Sequence, residues 1–191
     1  MPSSHDYIKD KRNKKIKIFI NNKFYSRDNA KVSVFDSSVI LGDGIWSGIR
    51  FHNNKFLFLK DHLDRLFDDA KKISLKIHLS KKQISKILHD TININKMKTD
   101  VHLRLVVSRG IKSTPYQDPA FTISKPTIIV IPEYKQPQDN IYRKGLVLKT
   151  VKTIRGPHNV QDPRINSLSK LNCIIACIEA KKQKADEALM F

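Results

Sequence analysis

Residues 30–66 read AKVSVFDSSVILGDGIWSGIRFHNNKFLFLKDHLDRL, and their pattern decides how the rest of the chain is read. The β-branched residues of Lys31–Phe35 predict a strand. Gly42 and Gly44 follow, and the residues after them lead into further strand. Asn53-Asn54 then marks a turn before a strand in NNKFLFL, residues 53–59. In DHLDRLFDDAKKISLKI the apolar positions Leu63, Leu66, Phe67, Ala70 and Ile73 are spaced by three and four, which is the stripe of an amphipathic helix.

The three glycines Gly42, Gly44 and Gly48 invite a dinucleotide-binding reading, which fails on two counts. Ser47 stands where the third glycine belongs, and the run opens a strand where that motif opens a helix. Two glycines two apart instead provide a positive φ or room for another backbone to approach. No phosphate-binding GxxxxGK[ST], metalloprotease HExxH or nucleophile-elbow GxSxG occurs, so none of those chemistries has support.

Outward from this stretch, Ile16–Phe24 reads as strand about an Asn21-Asn22 turn. Ser80 with Gln83 forms a capping-box signature for a second helix that buries Ile84, Ile87 and Leu88. VHLRLVVSRG (101–110) and PTIIVIPEY (126–134) are strands. The polar, proline-bearing PEYKQPQDN (132–140) is the best domain boundary. Beyond it come a strand in GLVLKTVKTI (145–154), an irregular loop and a helix starting near Ser167–Lys170. The organisation expected is a domain over residues 1–132, a linker over 133–140 and a second, incomplete domain over 141–191.

The chain has 191 residues, 36 Lys and Arg against 18 Asp and Glu, and a net charge of +18. The lysines are spread through every segment, and no zinc-finger, aromatic RNA-binding or basic-zipper pattern accompanies them. A solvated basic surface is therefore the better reading than a nucleic-acid partner. Cys173 and Cys177, the two cysteines, are four apart in an apolar helical run. They read as small buried hydrophobes, with no disulfide framework or metal site. No window reaches the roughly 20 apolar residues that cross a bilayer, and the leader MPSSHDYIKDKRNKK lacks an apolar core; a cytoplasmic protein is expected.

The order of VSVFD, GDG, Trp46, Gly48–Arg50, HLDRL (62–66), LRLVVSRG (103–110) and the DPRI, LN, IEA and ADEAL pieces of residues 162–189 resembles the class IV pyridoxal-phosphate-dependent aminotransferases. That group includes branched-chain and D-amino acid aminotransferases and aminodeoxychorismate lyases. The resemblance implies an α+β, two-domain class IV aminotransferase-like fold. The small N-terminal α/β domain would be complete and the cofactor domain would be truncated after its start, making the chain a fragment. It further implies pyridoxal 5'-phosphate as cofactor, an amino acid and a 2-oxo acid as substrates, and a homodimer with sites at its interface.

Residue by residue, the family's phosphate-holding arginine maps to Arg65. Its place between Leu63 and Leu66, at the edge of the apolar stripe, suits a fixed bidentate phosphate contact. Trp46 maps to the aromatic of the substrate side-chain pocket, and Arg109 is a further substrate-binding candidate that could equally be structural. The family's Schiff-base lysine falls on Asn166, whose amide nitrogen is no amine nucleophile. Lys170, four residues on, is the substitute candidate. If residues 166–170 are helical, its Cα lies about 6 Å along the axis and nearly on one face; if they are extended, the gap is about 13 Å. Only the helical case brings its amine to the usual point.

Pro115 is followed by Tyr116 and Gln117 instead of the arginine and histidine of D-specific relatives. Transamination of a branched-chain amino acid with 2-oxoglutarate is therefore the leading expectation. A non-catalytic relative that has lost its lysine, or a relative of the D-amino acid aminotransferases or aminodeoxychorismate lyases, is the alternative.

Overall fold

A computed structural model describes residues 9–136 and 139–191. The first eight residues of the polar leader and the middle of the expected linker, residues 137–138, lie outside the described residues. The described chain forms two compact units, residues 10–134 with 165–169, and residues 135–164 with 170–191.

The N-terminal unit is built on a six-stranded antiparallel sheet in the order β2-β1-β6-β5-β3-β4. Its strands are β1 (Lys17–Ile20), β2 (Lys23–Ser26), β3 (Gly44–His52), β4 (Lys55–Phe56), β5 (Val101–Ser108) and β6 (Ile128–Tyr134). Asparagines make both tight turns. Asn21 has φ 53°, and Asn53 and Asn54 have φ 48° and 61°, the left-handed pair that matches strand twist in a two-residue hairpin. The second turn seats Phe51 opposite Phe56, their rings 4.8 Å apart edge to face.

Helix α1 is the short Ser37–Ile40, and the long helices are α2 (Leu59–Lys72) and α3 (Lys81–Ile94). Ser80 caps α3 in the reciprocal arrangement its sequence predicts, with Gln83 answering the cap's backbone. Leu63, Leu66 and Ala70 of α2 and Ile84, Leu88 and Ile92 of α3 are buried. They pack with Ile45, Ile49, Leu103, Leu105, Val107 and Val130 in one core. Strands β3 and β5 thus turn their odd-numbered residues to the helices and their even-numbered residues, Trp46, Gly48 and Arg104 among them, to the other face.

Two expected strands differ. Residues 31–35 form no strand, and Val34 is 73% exposed. The Ser33 side chain accepts the Phe35 amide, the Ser33 carbonyl accepts the Asp36 amide, and Asp36 caps α1 through Ser38. Local side-chain acceptors have outcompeted a ladder. In NNKFLFL the strand stops at Phe56, because Phe58 turns left-handed at φ 52° to open α2.

In the second unit, α4 spans Asp139–Lys144. Strand β7 (Leu148–Thr150) pairs in parallel with β8 (Glu187–Leu189), and α5 (Leu171–Lys182) packs Ala176 and Ala180 into a small core with Val151 and Ala185. The sequence predicted the strand in 145–154 at greater length and did not predict β8, in which Glu187 stands opposite Leu148. Helix α5 begins at Leu171, later than the expected Ser167–Lys170. Cys177 is exposed and Cys173 partly so, so the expectation of two buried thiols is corrected: the buried stripe of α5 runs through its alanines.

Candidate functional site

Trp46 and Asn166 lie at the opening of β3 and Arg109 just beyond the end of β5, Arg65 lies on helix α2, and Lys170 belongs to the second unit. Near its end β3 is paired with β4, but its opening residues Gly44–Trp46 are bordered by β5 on one side and by residues 166–168 on the other. The Trp46 amide donates to the Asn166 carbonyl at 2.9 Å, and the Leu168 amide donates to the Gly44 carbonyl at 2.9 Å. Ile45 and Ser167 stand opposite each other as an antiparallel bridge. Residues 166–168 are therefore a short segment bridged to β3 through the single pair Ile45–Ser167, and that register places Asn166 beside Trp46 on the same side of the sheet.

The two glycines of the GDG turn make room for this segment in different ways. Gly42 has φ +64°. Gly44 has no space for a side chain: a Cβ there would lie 2.6 Å from the Val107 carbonyl oxygen and 2.7 Å from Leu168 Cδ1. One glycine supplies the turn and the other the close approach.

Between them, Asp43 is gripped by Arg109. The guanidinium donates Nε to Oδ2 at 2.6 Å and Nη2 to Oδ1 at 3.0 Å, and also reaches the carbonyls of Ile73 at 2.9 Å and Ser74 at 3.1 Å. Most of its roughly five N–H donors are thus committed within its own unit. Arg109 clamps the GDG turn to the end of α2.

On the helix face lies a second polar group. Ser47, fully buried on β3, shares a hydrogen bond of 3.2 Å with Nδ1 of His62 on α2, and Arg65 Nη2 reaches Ser47 Oγ and His62 Nδ1 at 3.4 Å each. Arg65 itself is exposed, and among the described residues no carboxylate stands at ion-pair distance from it. Burial, and secondly the Arg65 charge, push the His62 imidazole below its ordinary pKa of 6.5, with Asp61 opposing. A cation without a counter-charge, flanked by a hydroxyl and a neutral imidazole, suits a phosphate dianion.

On the open face the Arg104 guanidinium lies over the Trp46 ring, its Cζ 3.8 Å from the centroid, and makes no carboxylate ion pair among the described residues. Stacking fixes the side chain while leaving its in-plane donors to receive an anion such as a carboxylate. Sequence reasoning passed over Arg104, although the alternation of VHLRLVV already set it opposite Leu103 and Leu105. It also passed over Ser47 and His62, whose partnership depends on a strand meeting a helix.

Lys170 is the cap residue of α5, with φ −126° and ψ 18°, and its carbonyl accepts the Ile174 amide. The helical turn from Asn166 to Lys170, on which its reach to the usual amine position rested, is not formed, because residues 166–168 are committed to β3. For the implied cofactor the residues therefore fit at one end and not at the other. The Arg65 group fits a phosphate, whereas position 166, beside Trp46, offers no amine to an aldehyde.

The family model for amino-transferase class IV matches residues 44–191. A Methanocaldococcus jannaschii protein, provisionally named a branched-chain-amino-acid aminotransferase, is 37% identical over 92% of this chain and 59% of its own length. Branched-chain-amino-acid aminotransferase-like protein 1 of Arabidopsis thaliana is 37% identical over 93% of this chain and 32% of its own. Among solved structures, the branched-chain aminotransferase of Thermoproteus uzoniensis with norvaline superposes with a TM-score of 0.78 at 25% identity, covering 92% of this chain and 59% of that one. The branched-chain amino acid aminotransferase of Thermobaculum terrenum, in its pyridoxal-phosphate form, has the same fold, with a TM-score of 0.74 at 19% identity over 93% and 59% of the two chains. The chain thus spans about three fifths of the first of these relatives.

Proposed function

The chain belongs to the class IV aminotransferase family, and from that premise we propose that it forms the phosphate- and substrate-holding part of a pyridoxal-phosphate-dependent enzyme. That enzyme would exchange the amino group of a branched-chain amino acid with 2-oxoglutarate. The observation that carries this reading is the Arg65–Ser47–His62 group, a guanidinium with two small polar neighbours and, among the described residues, no carboxylate at ion-pair distance. The 37% identity to proteins with branched-chain names supports the substrate class.

When bound, the cofactor supplies an electron sink for the substrate's α-carbon. The protein's residues have four tasks. Arg65 holds the phosphate, with Ser47 and His62 setting the angle of its guanidinium. Arg104, spread on Trp46, receives a substrate carboxylate, and the indole borders an apolar side chain. Arg109 and Asp43 keep the GDG turn rigid beside both. The fourth task, supplying an amine, stays with Lys170 as the candidate that the resemblance offers; the helical turn shared with Asn166 is not formed, so the mapping experiment below decides it.

A homodimer accords with the reading. Val34, Phe35 and Val39 are exposed, and the bridge between Asp36 and Ile111 sets them beside the loop that exposes Tyr116 and Ile123. The cytoplasm is the proposed setting; no helix among the described residues is long and apolar enough to cross a membrane.

A second reading has its own observation. Asn166, which the family pattern aligns with the amine position, lies in a segment held by backbone hydrogen bonds, as expected of a relative that holds ligands without catalysing transfer. Incubation with one equivalent of pyridoxal phosphate, borohydride reduction and peptide mapping separate the two. A stoichiometric pyridoxyl adduct on Lys170 supports the enzyme; adducts scattered over surface lysines, or none, support the second reading.

A further inference from the structure

Asp69 is a buried carboxylate that α2 does not need. It is 1% exposed and lies in the last turn of the helix, where the macrodipole disfavours a negative charge. It performs no capping; by contrast Asp36, equally buried, caps α1 and accepts from Thr127. Burial of a carboxylate is costly unless partners compensate it. The Lys72 ammonium stands 3.6 Å from Oδ1, which accepts no hydrogen bond. The hydrogen bond that Asp69 does make is to the Asn166 amide, which donates to Oδ2 at 3.1 Å across 97 residues of sequence.

We infer that Asp69 is a positioning residue whose buried carboxylate fixes the backbone of residue 166 at the edge of β3. Residue 166 is then held on both sides of its peptide frame: its amide donates to Asp69, and its carbonyl accepts from Trp46. Arg65 lies one helical turn before Asp69 on α2. The same helix therefore places the phosphate-binding cation and the residue at the amine position, with a separation that the fold sets. The significance for catalysis rests on the reading of the Arg65 group given above; the positioning itself needs no cofactor.

Amide hydrogen exchange by NMR on the full chain, without cofactor, tests this. In the wild type the Asn166 amide is protected. Asp69→Ala speeds its exchange roughly ten- to hundredfold, the loss expected for a hydrogen bond to a charged acceptor, while amides of β5 and the first turns of α2 keep their wild-type rates. Asp69→Asn retains most of the protection through its carboxamide oxygen, and Lys72→Ala leaves it unchanged. Asp69→Leu, which fills the site without a charge, serves as the acceptor-free variant should the alanine variant not fold. An unchanged Asn166 rate in either acceptor-free variant, or a loss spread evenly over α2 and β3, overturns the inference. Because no cofactor is present, failure of the aminotransferase reading leaves this result standing, and the converse also holds.

Discussion

At the scale of single residues the site is defined by Arg65, which among the described residues has no carboxylate at ion-pair distance. Arg109 resembles Arg65 in sequence, yet its donors are used by Asp43 and two carbonyls, whereas Arg65 meets a hydroxyl and an imidazole. The state of His62 follows from that arrangement. Its folded pKa is lowered from 6.5, chiefly by burial, so between the folded and unfolded values the unfolded chain binds the extra proton. Stability is then full above about pH 6.5 and declines as the pH falls through that value toward the folded pKa. An NMR titration of the His62 ring should show a midpoint below 6.5 that rises when inorganic phosphate is added, because a dianion beside Arg65 favours imidazolium. A midpoint unmoved by phosphate would remove His62 from the phosphate group.

At the scale of elements, the local signals were legible and the non-local ones were not. Helices α2 and α3 follow from an apolar stripe and a capping box, both written within a few residues. The strand expected at 31–35 has the right alternation, but Ser33 and Asp36 satisfy its backbone locally. The bridged segment 166–168 carries no periodic signal, because its register is set by the distant Gly44–Trp46 segment and by the space above Gly44. Arg65 was named from HLDRL alone, while Arg104 needed the strand's two faces to be assigned and Asp69 needed the tertiary contact itself. The Gly44 approach gives a direct check. Gly44→Ala puts a methyl 2.6 Å from a β5 carbonyl and 2.7 Å from Leu168, so the pairing of β3 must yield. Overpacking of this kind costs about 1–3 kcal/mol. Urea unfolding should show a loss of that size, accompanied by faster exchange of the Leu168 amide, whereas wild-type stability would mean that the two strands do not approach so closely in solution.

At the scale of the whole molecule, a net charge of +18 attracts every phosphate compound, so weak anion binding alone says nothing about the site. Attraction of that diffuse kind is screened by moderate salt, with a Debye length of about 8 Å at about 0.15 M. A phosphate held by Arg65 through directed hydrogen bonds is screened less and depends on one residue. Pyridoxamine 5'-phosphate is the suitable probe, since it carries the phosphate and ring but has no aldehyde to react with surface lysines. Its titration into the full chain at about 0.15 M salt, followed through the His62 ring and Trp46 indole signals, separates a directed phosphate site at Arg65 from diffuse attraction. A directed site gives saturable binding, competed by inorganic phosphate, weakened about ten- to hundredfold by Arg65→Ala and unchanged by Lys60→Ala on the exposed side of α2. Binding that Arg65→Ala and Lys60→Ala weaken equally, and that disappears with added salt, would contradict it.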